Sequence, residues 1–273
     1  MYKLRNWIDE SKLTDYLSSN PRAAHYLEQN PHLIYWQMVS DNSEAISLIH
    51  SNLDKVDWRW LSFNPSAQTI LERNQHLIEW NTFSRNTGAL DLLTKNQEKI
   101  NWKWMSSNPG AIPLLEANPD KIVHKNLSSN PKGLHLLKEI DWSNLSMNPA
   151  AIKILEQNPE KIEWNCLSIN PAAIHLLKAN PEKIDWFLLS MNTGAAELLE
   201  QNTHKINWIL LSENPAAIHL LEQNPEKIEW NNFSKNPAIF EYDYANMKRP
   251  FTEELMQNRF HPDNMDKFEA WGF

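Results

Sequence analysis

The sequence predicts an all-α solenoid made of short stacked repeats, and three observations support this. Tryptophan recurs every 22 residues along most of the 273-residue chain. Asparagine, usually followed by proline, recurs with the same period. Apolar residues with helical spacing follow most of these Asn-Pro pairs. A fixed period of this length is typical of arrays in which each unit contacts mainly its neighbours.

The repeat is defined by rows of 22 residues that start at Leu17. Ten rows and a truncated eleventh, which begins at Phe233, share the consensus LSxNPxAIxLLExNPEKIxW followed by two variable residues. We number the columns of this consensus 1 to 22 from its leucine. Column 2 is serine and column 4 is asparagine in all eleven rows.

The first half of each row predicts a helix of two to three turns. The column 4 asparagine is a favourable N-cap, and the proline after it suits the first helical position. In one row Ile152, Ile154 and Leu155 lie toward one face of this helix. Column 7 is alanine or glycine in the ten full rows, which allows helices of successive units to approach closely.

The second half of each row predicts a turn and another short helix. The asparagine in column 14 is expected to end the first helix in the left-handed conformation and to open a Pro-Glu-Lys turn. The acidic residue in column 19 is expected to cap a second helix, such as WNCLS at 164–168. Neither helix is long enough to persist alone, so stacking must stabilise both.

The predicted shape is a rod or arc with a cap at each end. Ten layers at the usual interhelix spacing would extend roughly 80 to 100 Å. We expect an N-terminal cap at 1–16, repeats at 17–244 and a helical C-terminal cap at 245–273 that ends in aromatic residues. The alternative fold is a leucine-rich-repeat-like horseshoe with a strand at KIDW and an asparagine ladder, which the absence of an LxLxxN signature disfavours.

One repeat, at 127–144, is four residues short because it lacks the Glu-x-Asn-Pro segment. We interpret this as a deletion in a surface turn. The alternative is a local change of superhelical curvature. Stacking is expected to continue through this row in either case.

Composition argues against several classes of function. The formal net charge of −8 lacks the basic character of a nucleic-acid binder and favours a basic protein partner. The single cysteine, Cys166, cannot form an internal disulfide, which indicates an intracellular, reducing compartment. The opening residues MYKLRNWIDESKL contain no apolar segment, and no window resembles a membrane span, so neither a secretory leader nor a membrane partner is expected.

The consensus rows, together with the terminal HPDNMDKFEAWGF, resemble the tandem asparagine-proline repeat proteins encoded by giant nucleocytoplasmic large DNA viruses. The resemblance covers Leu17 to Phe273. It implies a repeat architecture and a location in the infected host cytoplasm or the virion, and it supplies no catalytic residue. The short row and the non-proline rows DNSEA, RNTGA and MNTGA depart from the pattern.

No catalytic, metal or cofactor site is expected. Nucleotide-binding and hydrolase motifs are missing from the sequence. His135, His175 and His219 share column 9 but fall on alternate layers, too far apart to bind one ion. Cys166 has no candidate base in its own column, and the tryptophan column is interpreted as part of the core.

Binding specificity in repeat arrays lies on the surface that varies between rows, and columns 3, 21 and 22 are informative in this respect. They become apolar in the central rows, at Met147, Ile169, Phe187, Leu188, Met191, Ile209 and Leu210. If exposed, this patch is predicted to bind a protein partner; alternatively, columns 21 and 22 lie partly inside.

The predicted function is a non-enzymatic scaffold, and the alternative is a structural component of a viral particle or assembly. The partner's identity and the oligomeric state are left open.

Overall fold

The computed structural model describes residues 2–244 and 246, and this part of the chain is an all-helical repeat solenoid. Most repeats contain two short helices, which we call the A helix and the B helix. The A helix follows the column 4 asparagine, and the B helix begins at the tryptophan column. We number the layers 1 to 11 by their column 4 asparagines, so that a layer contains the B helix before its asparagine and the A helix after it.

The bounds of the helices and strands follow the sequence period. The B helices are Trp36–Val39, Trp58–Phe63, Trp80–Phe83, Trp102–Ser107, His124–Leu127, Trp142–Met147, Trp164–Ile169, Trp186–Leu189, Trp208–Glu213 and Trp230–Lys235. The A helices are Ala24–Gln29, Ile46–His50, Gln68–Arg73, Leu90–Lys95, Ile112–Ala117, Ile152–Gln157, Ile174–Ala179, Ala196–Glu200 and Ile218–Gln223. Two strands, β1 (Tyr2–Leu4) and β2 (Phe240–Tyr242), pair antiparallel.

Short 3-10 segments flank these helices. Before the A helices, or in the equivalent place, they are Pro21–Ala23, Ser43–Ala45, Pro65–Ala67, Pro149–Ala151, Pro171–Ala173, Pro215–Ala217 and Pro237–Ile239. After the A helices they are Pro31–Leu33, Gln75–Leu77, Gln97–Lys99, Pro119–Lys121, Pro159–Lys161, Pro181–Lys183, Thr203–Lys205 and Pro225–Lys227. The remaining segments are Glu10–Lys12, Asp15–Ser19 and Leu134–Leu136.

The column 4 asparagine caps the A helix as predicted. The backbone N–H of Ala172 donates to Oδ1 of Asn170 at 3.0 Å, and Pro171 occupies the first position of the turn that leads into Ile174–Ala179. The column 7 alanines, such as Ala173, are fully buried between layers. The predicted cap is therefore confirmed, whereas the close approach between units is made by the 3-10 segments that contain column 7, such as Pro149–Ala151 and Pro171–Ala173, and not by the A helices.

The column 14 asparagine ends the A helix in a different way from the one predicted. Asn180 has φ −135° and ψ 61°, so it is not left-handed. Its side-chain Nδ2 instead donates to the carbonyl of Leu176, one helical turn earlier, at 3.0 Å. The expectation of a left-handed residue was wrong because the side chain, rather than a backbone reversal, satisfies a carbonyl at the helix end.

The B helix is capped by the acidic column, as predicted, in several layers. Oδ1 of Asp57 accepts the backbone N–H groups of Arg59 and Trp60, and the Glu79 carboxylate accepts those of Asn81 and Thr82. Glu163 lacks such a bond. These backbone bonds are a main reason why the pKa of Glu79 is lowered despite the opposing effect of burial.

The invariant column 2 serine is buried and joins each B helix to the segment that follows. Oγ of Ser168 donates to the carbonyl of Trp164 at 2.9 Å and accepts the backbone N–H of Asp185 at 3.0 Å. The serine hydroxyl thus fixes the position at which the chain, after each A helix, returns to the B-helix side of the repeat.

Layers are joined by a ladder of buried asparagines. Nδ2 of Asn192 donates to the carbonyls of Ser168 at 2.8 Å and Asn170 at 3.1 Å in the preceding layer. Equivalent pairs of bonds are made by every column 4 asparagine: Asn20, Asn42, Asn64, Asn86, Asn108, Asn130, Asn148, Asn170, Asn192, Asn214 and Asn236. We call this set the asparagine ladder.

The asparagine ladder closes on itself. Nδ2 of Asn20, in layer 1, donates to the carbonyls of Ser234 at 3.0 Å and Asn236 at 2.9 Å, in layer 11. Layer 11 therefore precedes layer 1 in space, as every other layer precedes its successor. The solenoid is a closed ring of eleven layers, and the expected rod or arc with two free ends was wrong.

The N-terminal residues complete layer 11, which has no A helix of its own. β1 pairs with β2, and the backbone N–H of Thr14 donates to Oγ of Ser234 at 3.1 Å, a bond that column 19 makes in the other layers. Lys12 lies over the ring of Trp230 at 5.3 Å, as the column 17 lysines lie over tryptophans elsewhere. Residues 2–16 thus join the two ends of the array rather than covering one exposed end.

Two other sequence predictions concern the C-terminal segment and the short row. The C-terminal cap at 245–273 lies outside the described residues, apart from Asn246. The short row keeps its place in the asparagine ladder, because Asn148 donates to Ser128 and Asn130 at 3.0 and 3.1 Å. The deletion shortens the A-helix side of layer 6, where Leu134–Leu136 is a 3-10 turn, and stacking continues as expected.

B helices form the inner wall of the ring and A helices the outer wall. Neighbouring B helices pack directly together, as Trp142–Met147 does on Trp164–Ile169, whereas consecutive A helices stand farther apart. Elements nearest the axis of a ring are the most crowded, which places the B helices inside. The apolar residues of columns 1, 10 and 11 fill the space between the walls. The KIDW segment at 183–186 is not a strand, because Ile184 and Asp185 are extended residues between a 3-10 segment and the B helix that begins at Trp186, and among the described residues only β1 and β2 form a sheet. The horseshoe alternative was therefore wrong.

The tryptophans are half-buried and pack against this core, so the column contributes to packing as interpreted, although it is not fully enclosed. In many layers the column 17 lysine, in the turn that follows the A helix, covers the tryptophan ring of the same layer. Lys205 lies 4.2 Å from the Trp186 ring centroid, and Lys183 lies 4.4 Å from that of Trp164. This arrangement combines apolar burial with cation–π attraction.

Removing one ladder asparagine should destabilise the ring much more than removing the column 14 asparagine of the same layer. Asn170→Ala loses three hydrogen bonds at a buried site and should lower the free energy of unfolding by about 3 kcal/mol. Asn180→Ala loses one half-buried side-chain bond and should cost about 1 kcal/mol. Urea denaturation of both variants measures this difference, and equal costs would contradict the role of the asparagine ladder.

Candidate functional site

The three variable columns lie on the same face of the inner wall. Columns 1 and 2 of each B helix are buried against the core, and columns 3, 21 and 22 lie on the opposite side of the helix, where they are exposed or half-buried. The inner wall has eleven layers, formed by ten B helices and the 3-10 segment Asp15–Ser19. Layers spaced roughly 8 to 10 Å apart and 10 to 12 Å thick would leave an opening of roughly 16 to 25 Å. The variable side chains therefore surround a lumen.

The predicted apolar patch is accessible from this lumen. Phe187 is 57% exposed, Ile209 55% and Met191 43%. The other four residues, Met147, Ile169, Leu188 and Leu210, are half-buried. Column 21 thus projects into the lumen, while column 22 packs partly against the neighbouring helix, so both interpretations of the sequence hold in part.

The patch is continuous across layers 9 and 10. Two hydrogen bonds show that a column 22 side chain lies beside the column 21 residue of the preceding layer. Oγ1 of Thr82 donates to the carbonyl of Arg59, and Nδ2 of Asn232 donates to the carbonyl of Ile209. By the same spacing Leu210 lies beside Phe187. We call the seven predicted residues, from Met147 to Leu210, the apolar arc.

A basic and aromatic surface lies across the ring from the apolar arc, in layers 3 to 5. Its cations are Arg59, Arg85 and Lys103, and its aromatic residues are Trp60, Phe63 and Trp104. Among the described residues these three cations form no salt bridge, and columns 3, 21 and 22 of these layers contain no acid. We call these six residues the basic arc.

Arg85 is held between two aromatic rings. Its guanidinium carbon lies 4.9 Å from the ring centroid of Phe63, in the preceding layer, and 4.7 Å from that of Trp104, in the following layer. Stacking of this kind leaves the N–H groups at the edges of the guanidinium to bind a ligand, and it limits the side chain's freedom before a ligand arrives.

Two adjoining cavities open along the basic arc. One, of about 400 Å³, is lined by Arg59, Arg85 and Trp104 together with polar groups of layer 4. The other, of about 410 Å³, is lined by Arg59, Arg85, Trp60 and Phe63 among others. Because both arginines line both cavities, they lie where the two meet.

Asp41, in column 3 of layer 2, is a partly buried carboxyl beside the basic arc. It lines a cavity of about 380 Å³ with Tyr16, Tyr35 and Trp60. Burial raises the pKa of Asp41 to about 6, while the positive charge of Arg85 acts in the opposite direction. The ionised carboxylate is therefore poorly compensated at this position.

The remaining candidates from the sequence lie elsewhere or have structural roles. His135 and His175 are exposed on the A-helix side, where they contact Glu116 at 3.2 Å and Glu156 at 2.9 Å. Cys166 is a half-buried column 22 residue, and burial, with Glu163 and Asp141 nearby, raises the pKa of its thiol. The described residues contain no group of three metal-ligating side chains.

The basic arc was missed by sequence analysis. The signal that could have found it is the run of arginine, lysine and tryptophan in columns 3, 21 and 22 of three consecutive rows. The overall charge of −8 obscured it, because the acids lie mainly at helix caps and on the outer wall. The net charge of the whole chain therefore does not indicate the charge of the lumen surface at the basic arc.

Comparisons with known proteins supply no relative. No family model, no curated protein and no solved structure matches this chain. Within the described part of the chain, no helix is long and apolar enough to cross a membrane.

Replacing Asp41 by asparagine should stabilise the ring in a pH-dependent manner. The folded-state pKa of about 6 lies above the usual value of 3.8, so the contribution of Asp41 to stability should fall as pH rises between these values and stay reduced above pH 6. Asp41→Asn should therefore have a higher Tm than wild type at pH 8 and little advantage at pH 3.5. Asp54→Asn, an exposed carboxyl in the same layer, is the control. An equal gain at both pH values would contradict the assignment.

Proposed function

We propose that this protein is a non-enzymatic, ring-shaped scaffold that binds a protein segment in its lumen. The observation that carries the proposal is the distribution of variable residues. Stacking, capping and the asparagine ladder occupy the columns that stay constant, and three of the columns that vary, columns 3, 21 and 22, line the lumen together. Different chemistry in each layer gives one partner a set of distinct contacts.

The apolar arc supports protein as the class of partner. Phe187, Met191 and Ile209 are large apolar side chains exposed on neighbouring layers. Clustered apolar groups of this kind, bordered by polar ones such as Asn165 and Glu213, are typical of protein interaction surfaces. Their burial by a partner would supply most of the binding free energy.

A closed ring also suits binding because it is rigid before the partner arrives. An open solenoid flexes along its length, whereas each layer here is fixed by two neighbours. A preorganised wall loses less entropy on association, which increases affinity for a given contact area.

Site-directed photocrosslinking tests the location of the partner. A photoreactive phenylalanine at Ile209 faces the lumen, and the same residue at Glu222, on the exposed side of the neighbouring A helix, is the matched control. In the cell that produces the protein, Ile209 is expected to crosslink a defined partner that Glu222 does not reach.

The captured partner, once purified, allows a quantitative test. Phe187→Asp combined with Ile209→Asp should weaken its binding more than tenfold, because both side chains lie at the centre of the apolar arc. Glu200→Ala with Glu222→Ala should leave binding unchanged. Equal crosslinking from both sites, or unchanged affinity in the aspartate variant, would reject the lumen as the binding surface.

A further inference from the structure

The two arcs of the lumen differ in chemistry and face each other. The basic arc spans layers 3 to 5 and the apolar arc is centred on layers 8 to 10, about half of the eleven-layer ring away. From this arrangement we infer that the lumen accepts an amphipathic α-helix, whose acidic face meets Arg59 and Arg85 while its apolar face meets Phe187 and Ile209. The inference rests on the proposed function and names the class of partner.

Charge complementarity identifies the acidic face. Arg59, Arg85 and Lys103 form no salt bridge within the described part of the chain. The Asp41 carboxyl interacts with Arg85 only through its charge, and the nearby carboxylate of Glu79 is occupied by backbone N–H groups. Stacked between Phe63 and Trp104, Arg85 presents its edges to a carboxylate, the geometry that favours paired hydrogen bonds. Glutamate or aspartate side chains are therefore the complementary groups.

The limited extent of the basic arc favours a helix over a uniformly charged polymer. In layer 6 the cation Lys125 is already paired, with Asp141 at 3.8 Å. In layers 7 to 10, columns 3, 21 and 22 contain no cation, and their one charged residue is the acid Glu213. A nucleic-acid backbone carries charge along its whole length and would meet apolar or acidic wall over these layers. An amphipathic helix separates its charged and apolar groups in the way that the lumen does.

Size agrees with this occupant. A helix with its side chains is 10 to 12 Å across, and the opening estimated above is roughly 16 to 25 Å wide. One helix fits in the lumen, and long side chains from both walls can reach it. Two walls of different character also fix the rotation of the helix about its axis.

Fluorescence anisotropy with a synthetic probe tests the inference. The probe is a labelled peptide of about 20 residues, roughly 30 Å long as a helix, with leucine along one face and glutamate along the other. A scrambled peptide of the same composition and a single-stranded oligothymidine of similar length are the comparison ligands.

The variants are matched for charge. Arg59→Gln with Arg85→Gln removes two cations from the basic arc, and Arg73→Gln with Lys95→Gln removes two from the exposed ends of the A helices in the same layers. The amphipathic peptide should bind wild type and the control alike, and at least tenfold more weakly to the lumen variant. Added salt should weaken the wild-type complex more than that of the lumen variant. Circular dichroism melting of each variant confirms that the ring is folded.

The outcomes separate the inference from the proposed function. Binding within twofold of wild type in the Arg59→Gln, Arg85→Gln variant would overturn the role of the basic arc, as would equal binding of the scrambled peptide. Tighter binding of oligothymidine would assign the basic arc to single-stranded nucleic acid and overturn the inference. If Phe187→Asp with Ile209→Asp still abolishes binding of the photocrosslinked partner, the proposed function stands while the inference fails.

Discussion

The ring depends on one buried interaction, the pair of hydrogen bonds from each column 4 asparagine to two carbonyls of the preceding layer. Each of these buried groups, the side-chain amide and the two backbone carbonyls, would destabilise the fold if it had no hydrogen-bond partner. Each layer therefore provides the hydrogen-bond partners that the next layer needs. The same side chain caps the A helix of its own layer. Helix initiation and layer stacking are therefore coupled through a single residue, which explains why asparagine stands in all eleven rows.

This coupling leaves other columns free to differ. The serine hydroxyl, the small residue of column 7 and the leucine of column 1 complete the interior, and none of them reaches the lumen. The side chains of columns 3, 21 and 22 take no part in the asparagine ladder, so substitutions there change the lumen wall and preserve this ladder. The apolar and basic arcs are two such local variations on a constant frame.

Much of the fold could be predicted from the sequence, because local signals determine each unit. The period, the Asn170 cap and the acidic caps of the B helices are short-range features that a single row displays. Closure could not be predicted, since it depends on a small difference in spacing between the inner and outer walls, accumulated over eleven layers. The hydrogen bond from Thr14 to Ser234 joins residues that are 220 positions apart, and the sequence of a single row does not indicate it. The basic arc was missed for the same reason. Its residues come from three rows, and they form one surface only because these rows lie side by side around a lumen.

Ring closure is tested most directly by a disulfide between β1 and β2. Lys3 and Glu241 are cross-strand partners, and Cα atoms paired in this way lie within the range that a disulfide requires. With Cys166 changed to serine, Lys3→Cys and Glu241→Cys should form one intramolecular disulfide in the monomer under mild oxidation, seen as faster migration on a non-reducing gel and a mass loss of two hydrogens. An open array would hold these positions tens of ångströms apart. Free thiols, or disulfides formed only between molecules, would contradict the closed ring.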